Sequence, residues 1–115
     1  ATIEYYHKAM RIIAEKIQNP VYFVFSNDIG WVKENIEFKN EAIYIDWNSG
    51  KESYKDMQLM SNCKHNIIAN STFSWWGAWL NNNPNKIVIA PKRWINREDI
   101  NSDEIELFYE DWILL

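Results

Sequence analysis

An α/β layer built on a parallel sheet is the architecture this sequence predicts, and three observations predict it. Four short segments dominated by β-branched, aromatic and other apolar residues (21–26, 42–45, 66–69 and 86–90) read as strands. The intervals between them carry helix-start chemistry or apolar residues at helical spacing, so strand and helix alternate. The first strand segment, "VYFVFS", is almost continuously apolar, which fits a strand buried on both faces. Together these features predict a Rossmann-like layer: four parallel strands in one sheet, right-handed crossovers, and helices on both faces. A length of 115 residues suits one domain, residues 1–115, and is too short for two.

Ile3, Tyr6, Met10, Ile13 and Ile17 recur every three or four residues and draw an apolar stripe along the first helix. Thr2 is placed to cap its start, and Asn19-Pro20 ends it because a residue before proline avoids the α region. After the first strand, "NDIGW" turns into a short helix over 29–35, and "AIYI" forms the second strand before the turn "DWNSG". Ser53 opens a helix through about Asn62, with Asp56 three residues on, where its carboxylate can reach back to the helix start. The third strand, "NIIA", leads to a crossover helix over 74–81. The run "NNNPN" supplies a turn, and the fourth strand, "KIVIA", stops at Pro91. Beyond it, "DEIELFY" predicts a short helix and "EDWILL" an apolar strap. No internal repeat or low-complexity linker interrupts this order.

Composition narrows the function. With 47% hydrophobic and 24% charged residues, the chain is an ordinary globular one rather than a disordered one. Seven tryptophans stand out. Burying an aromatic removes roughly 150–250 Å² from water, so most of them, Trp75, Trp76 and Trp79 included, are expected in the core. A net charge of −4, with no basic run longer than Lys92-Arg93, argues against nucleic acid as a partner. Cys63 is the single cysteine, which precludes an internal disulfide and fits a reducing compartment. No apolar run reaches transmembrane length and no signal segment opens the chain, so a cytoplasmic location or the cytoplasmic face of a membrane is expected. Thr2 leads straight into an amphipathic helix, as expected of a piece cut from a longer protein.

Ligands of open α/β sheets sit beyond the carboxyl ends of the strands, which singles out the loops "SNDIG", "DWNSG" and "NSTFS". None contains G-x-G-x-x-G or G-x-x-x-x-G-K-[ST], and three glycines in the whole chain leave no glycine cradle for phosphate. "NSTFS" still has the chemistry of an anion site. It joins a buried strand to a helix start, where N–H groups lack intrahelical partners and the helix dipole is positive. Ser71, Thr72 and Ser74 add hydroxyls. The plainer reading is a helix cap, and spacing alone favours it. Asn70-Ser71-Thr72 also matches a glycosylation sequon, which a reducing compartment and a strand-end position disfavour. Asp28 and Asp46 follow the first and second strands and suit either ribose or base recognition or helix capping. Asp56 suits dipole and cap duty, or acceptance of two N–H groups from a guanine edge. Cys63 and His65 flank Lys64, but a metal site needs three or four ligands and no second cluster exists, so no metal is expected.

The segments "YYHKAM", "FVFSNDIGWV", "DMQLMSNCKHNIIANSTFSWWGAWLN" and "KIVIAPKRW" together resemble the α-1,2-fucosyltransferases of glycosyltransferase family 11, in order and over nearly the whole chain. "NSTFSWWGAWL" is highly specific to that family. The resemblance implies the carboxyl-terminal, nucleotide-sugar-binding half of a GT-B enzyme, bacterial in type. It implies transfer of fucose from GDP-fucose to the 2-hydroxyl of a galactoside, with inversion and without a metal or other cofactor. It assigns guanine to Asp56 and the diphosphate to Ser71, Thr72 and Phe73, with Asn70 and Ser74 beside them, and leaves Asp28 as a further donor-site candidate. The hydroxyls then face the phosphates while the tryptophans behind them pack the helix onto the sheet. Two departures stand out. Asn27-Asp28 occupies the place where the family usually has two aspartates. The family's His-x-Arg-x-Gly-Asp block, with the arginine expected to neutralise the departing diphosphate, is absent from these residues. No catalytic residue is therefore assigned here, the acceptor domain is expected upstream, and the chain alone is expected to be inactive. The alternatives are a non-catalytic nucleotide-binding or interaction module and a transferase for another nucleotide sugar.

Overall fold

The computed structural model describes residues 2–26, 28–45, 52–69, 71–92 and 111–115. Along them run α1 (Ile3–Lys16), β1 (Tyr22–Phe25), α2 (Ile29–Asn35), β2 (Ala42–Ile45), α3 (Tyr54–Asn62), β3 (Asn66–Ile67), α4 (Thr72–Trp79), β4 (Val88–Ala90) and β5 (Ile113–Leu114). The chain gathers into two compact units, Thr2–Asp56 and Met57–Leu115. Every strand pairing among the described residues is parallel. Among the described residues, an α/β fold with parallel strands and four helices is thus the class observed.

In the first unit, the Thr2 hydroxyl caps α1 by accepting the Tyr5 N–H at 3.0 Å. The helix buries Tyr5, Ala9 and Ile13, a line four residues apart, while Ile3, Tyr6, Met10 and Ile17 of the expected stripe flank it half-buried. The helix ends at Ile17, whose backbone is extended, and Asn19 beyond it takes the left-handed region (φ 51°), a conformation asparagine tolerates better than a branched residue. β1 then lies beside β2 in register from Tyr22 opposite Ala42 to Phe25 opposite Ile45. Phe38 wedges between the rings of Tyr22 and Tyr44, at centroid distances of 5.7 and 6.0 Å.

In the second unit, β4 is the middle strand, with β3 on one side and β5 on the other. Its residues are buried throughout, and Ile89 is completely so. Ile68, Ala78, Val88, Ala90 and Trp112 form the core, with Trp75 and Leu114 packed against it. Ala78 and Gly77 make the buried side of α4 small, which lets that helix lie close to its neighbours. A Cβ added at Gly77 would stand 2.9 Å from the Met60 Cβ and 3.0 Å from its sulfur.

The expectation of four strands in one sheet is not met. β1 and β2 form a two-stranded ladder, and β3 and β4 share theirs with β5, so only two of the four expected strands occur in either ladder. The added strand comes from the "EDWILL" tail, expected as a strap. Trp112 is 7% exposed in the core, and Ile113 and Leu114 pair with Ile89 and Ala90. The Leu115 N–H reaches the Ala90 carbonyl at 3.0 Å, and the Lys92 N–H reaches Leu115 at 2.8 Å. Backbone groups on the free edge of β4 would otherwise lack partners, and the tail satisfies them. The helix over 74–81 begins instead at Thr72, because Ser71 is the capping residue. Among the described residues no helix is long and apolar enough to cross a membrane. The expected helix in "DEIELFY" lies outside the described residues.

Candidate functional site

The serine-rich turn before α4 follows β3 at one of the strand ends singled out above. Ser71 is extended (φ −135°, ψ 144°), and its Oγ accepts the Ser74 N–H at 3.2 Å. The two serine hydroxyls lie 2.8 Å apart. Ser74 Oγ is also 3.0 Å from the Ala69 carbonyl and 3.1 Å from that of Ser71. One hydroxyl carries one proton, so Ser74 donates toward a carbonyl while Ser71 donates to Ser74. The cap is therefore the arrangement adopted by the free turn. It leaves the N–H groups of Thr72 and Phe73 in the first turn of α4, where the helix supplies no acceptor, at the positive end of its dipole. Ser71 and Phe73 are exposed, and Ser74 is half-buried. Asn70, beside them in the sequence, lies outside the described residues, as does the Thr72 side chain.

Asp28 caps α2. Its Oδ1 accepts the Trp31 N–H at 3.0 Å, and its own N–H donates to Ser26 Oγ at 3.0 Å. Of the two readings the sequence leaves open for Asp28, this geometry realises the cap with one carboxylate oxygen. Asp56 stands half-buried in the first turn of α3, its N–H donating to the Ser53 carbonyl at 3.0 Å. Asp28 and Asp56 belong to the unit of residues 2–56, whereas Ser71, Thr72, Phe73 and Ser74 belong to the other. Asn27 and Asp46 lie outside the described residues.

Cys63 and His65 are both occupied structurally. The Cys63 thiol donates to the Leu59 carbonyl at 3.2 Å, and burial pushes its pKa up, away from the reactive thiolate. His65 Nδ1 accepts the Ile87 N–H at 2.9 Å. Burial, then the Lys64 charge, lowers the His65 pKa and favours the neutral ring that this bond requires. Among the described residues no three His, Cys, Asp or Glu side chains gather as a metal set would.

The tryptophans divide. Trp75 packs on the core beside Trp112, ring centroids 6.2 Å apart, and stacks with Trp79 at 6.3 Å. Trp76 and Trp79 remain 42% and 41% exposed and meet edge to face at 5.4 Å. In these residues Trp75 packs α4 onto the core, and Trp76 and Trp79 keep more than half of their surface covered. An eight-residue helix turns only a narrow side inward, and Gly77, Ala78 and Trp75 fill it.

A feature the sequence analysis missed closes the other end of α4. Lys86 Nζ donates to the carbonyls of Ala78 (2.9 Å) and Asn81 (2.8 Å). Asn81, 4% exposed, donates to the Cys63 carbonyl (2.6 Å) and to Asn66 Oδ1 (2.8 Å), and accepts the Asn83 N–H at 3.0 Å. Asn66 in turn donates to the Met60 carbonyl at 2.8 Å. "NNNPN" reads as turn residues, and the one available signal was the crowding of amides beside a lysine that opens a buried strand.

The sequence profile described as glycosyl transferase family 11 matches residues 1–115. An alpha-1,2-colitosyltransferase of Escherichia coli is 47% identical over 105 residues, 88% of this chain and 35% of that protein. The O-antigen biosynthesis glycosyltransferase WbnK of Escherichia coli is 42% identical over 115 residues, 98% of this chain and 36% of that protein. A galactoside alpha-(1,2)-fucosyltransferase 1 of Ateles belzebuth is 31% identical over 77 residues, 66% of this chain and 21% of that protein. The chain thus spans about a third of the length of its bacterial relatives. No solved structure matches it significantly.

Proposed function

The chain belongs to glycosyl transferase family 11, and from that premise we propose that it is the donor-binding part of a galactoside α-1,2-fucosyltransferase. The capped turn at the amino end of α4 carries the reading, because it leaves first-turn N–H groups at a strand end beside two hydroxyls. In this reading the Thr72 and Phe73 N–H groups and the Ser71 and Ser74 hydroxyls hold the diphosphate of GDP-fucose. Asp56 accepts the guanine edge, and Asn70 and Asp28 line the remainder. The chain lies in the carboxyl-terminal half of a GT-B enzyme, and the galactoside acceptor is bound by the other half, in the bacterial cytoplasm or at its membrane face.

The chemistry is one displacement at the anomeric carbon. The 2-hydroxyl of galactose forms the new C–O bond on the face opposite GDP, its proton passing to a base outside these residues. The bond from the anomeric carbon to the β-phosphate oxygen breaks, with inversion. Negative charge grows on the diphosphate as that bond breaks, and preorganised N–H and O–H donors stabilise it there. Donors of this kind can take the place of a metal, which is why the proposed reaction needs none.

The similarity to a colitosyltransferase supports a second donor, because colitose is fucose without its 3-hydroxyl. The complete protein carrying this chain is to be incubated with GDP-fucose, GDP-colitose and a UDP-sugar, each with a β-galactoside acceptor. An α-1,2-linked product from either GDP-sugar, identified by NMR, is expected. Transfer from the UDP-sugar alone would overturn the guanine reading, and nucleotide binding without transfer would favour the non-catalytic module.

A further inference from the structure

The polar cluster at the carboxyl end of α4 grips the helix at whose opposite end the serine turn lies. α4 has eight residues, about 12 Å at 1.5 Å per residue. It is stiff along its axis, so a shift at its carboxyl end moves the turn at its amino end. Two large side chains, Trp76 and Trp79, stay exposed, which leaves its seat to fewer contacts than a buried helix would have.

Those contacts are specific. Lys86 holds the carbonyls of Ala78 and Asn81. Asn81 ties the same corner to the Cys63 carbonyl and to Asn66, and Asn66 ties it to the end of α3 at the Met60 carbonyl. Gly77 lets α4 approach Met60 so closely that an added methyl has no room. Charge acts in the same sense as geometry. An ammonium at the carboxyl end of a helix offsets the negative pole of its dipole and leaves the positive pole to act on an anion at the amino end.

We propose that Lys86, with Asn81 and Gly77, positions the donor diphosphate. Together they fix the axial seat of α4, and so hold the Ser71–Ser74 turn and the Thr72 and Phe73 N–H groups where the phosphates bind. The inference rests on the reading of that turn as the diphosphate site. None of the three residues touches the donor.

The test uses the complete protein with Lys86→Met, which keeps the side chain's bulk and removes its ammonium. The expected result is a donor KM raised about tenfold and a kcat lowered with it, because the same turn stabilises the leaving charge, while acceptor KM is unchanged. A lysine that serves stability alone would lower the melting temperature and the active fraction but leave both KM values as in the wild type, and that result overturns the proposal. Gly77→Ala perturbs the same seat without removing a hydrogen bond, and it is expected to raise donor KM in the same direction. Should Lys86→Met fail to fold, an unchanged donor KM in Gly77→Ala overturns the proposal by itself. Ser74→Ala, measured in parallel, separates the two levels. If it raises donor KM while the other variants do not, the anchor falls and the turn stands. If it leaves donor KM unchanged, the diphosphate reading falls and the anchor goes with it.

Discussion

Replacing Ser71 with aspartate separates the two duties assigned to this residue. Ser71 Oγ caps α4 through the Ser74 N–H and carries a proton that now goes to Ser74 Oγ. Aspartate is as good a helix cap as serine, so Ser71→Asp should melt with the wild type. Ser71→Ala removes the cap, at about 1 kcal/mol, and should lower the melting temperature by about 2 °C in a complete protein roughly three times the length of this chain. Donor affinity should behave in the opposite order. In Ser71→Ala the bound phosphate loses a charge-assisted bond of about 1.5–3 kcal/mol, offset by the hydroxyl contact given up on binding. The net loss is about 0.5–2 kcal/mol, roughly two- to thirtyfold. In Ser71→Asp a carboxylate faces the diphosphate. Two like charges about 5 Å apart repel by about 3 kcal/mol at an effective dielectric near 20, and the exposure of Ser71 reduces this to about 2 kcal/mol. GDP should then bind about thirtyfold more weakly to a protein of undiminished stability. Titration calorimetry and thermal melts on the complete protein read both quantities. Wild-type GDP affinity in Ser71→Asp would refute the reasoning and leave Ser71 a cap and nothing more.

Residues 1–115 alone should show no transfer and should bind GDP with a dissociation constant near or above about 1 mM. On the reading that an arginine outside these residues holds the diphosphate, its absence removes two charge-assisted bonds, about 3–5 kcal/mol, from a roughly micromolar site, so micromolar binding by calorimetry would contradict this. Asp56→Ala in the complete protein should lower donor affinity with circular dichroism unchanged, and full activity in that variant would move the guanine site elsewhere. Acid should weaken the Met57–Leu115 unit through His65, whose pKa in the fold is lowered by burial and by Lys64. A depressed folded pKa means stability that is present above the unfolded value, about 6.5, and lost as pH falls through the folded one. Melting temperatures between pH 7.5 and 5 should therefore fall. His65→Asn, whose amide oxygen can accept the Ile87 N–H at any pH, should flatten that profile, and an unaltered slope would assign the acid sensitivity to other groups.

Local chemistry was legible wherever a residue's partner lies within one turn of chain. Thr2, Asp28 and Ser71 cap the three helices that follow them, and each is a small polar residue just ahead of an apolar or helix-forming run. The strand segments around Val24, Ile43, Ile67 and Val88 carry apolar and β-branched patterns, which is why all four were found close to their observed bounds. The site was legible only in part. "NSTFS" announces a strand-to-helix turn, but the same atoms serve a cap and an anion site, and sequence cannot say which oxygen a shared proton faces.

What the sequence determined by itself is the class of structure, its order of elements and the family it belongs to, because these depend on periodicity, capping residues and a long motif read locally. Tertiary structure alone decided which strands share a ladder, that Ile113 and Leu114 complete β4, that Trp75 goes inward while Trp76 and Trp79 stay out, and that Lys86 reaches the end of α4. Each of these pairs groups whose meeting depends on how whole elements pack. Leu115 meets Ala90 across 25 residues, and Asn81 meets Cys63 across 18. Backbone and amide groups taken out of water must find a partner somewhere, but only the packed chain specifies which one.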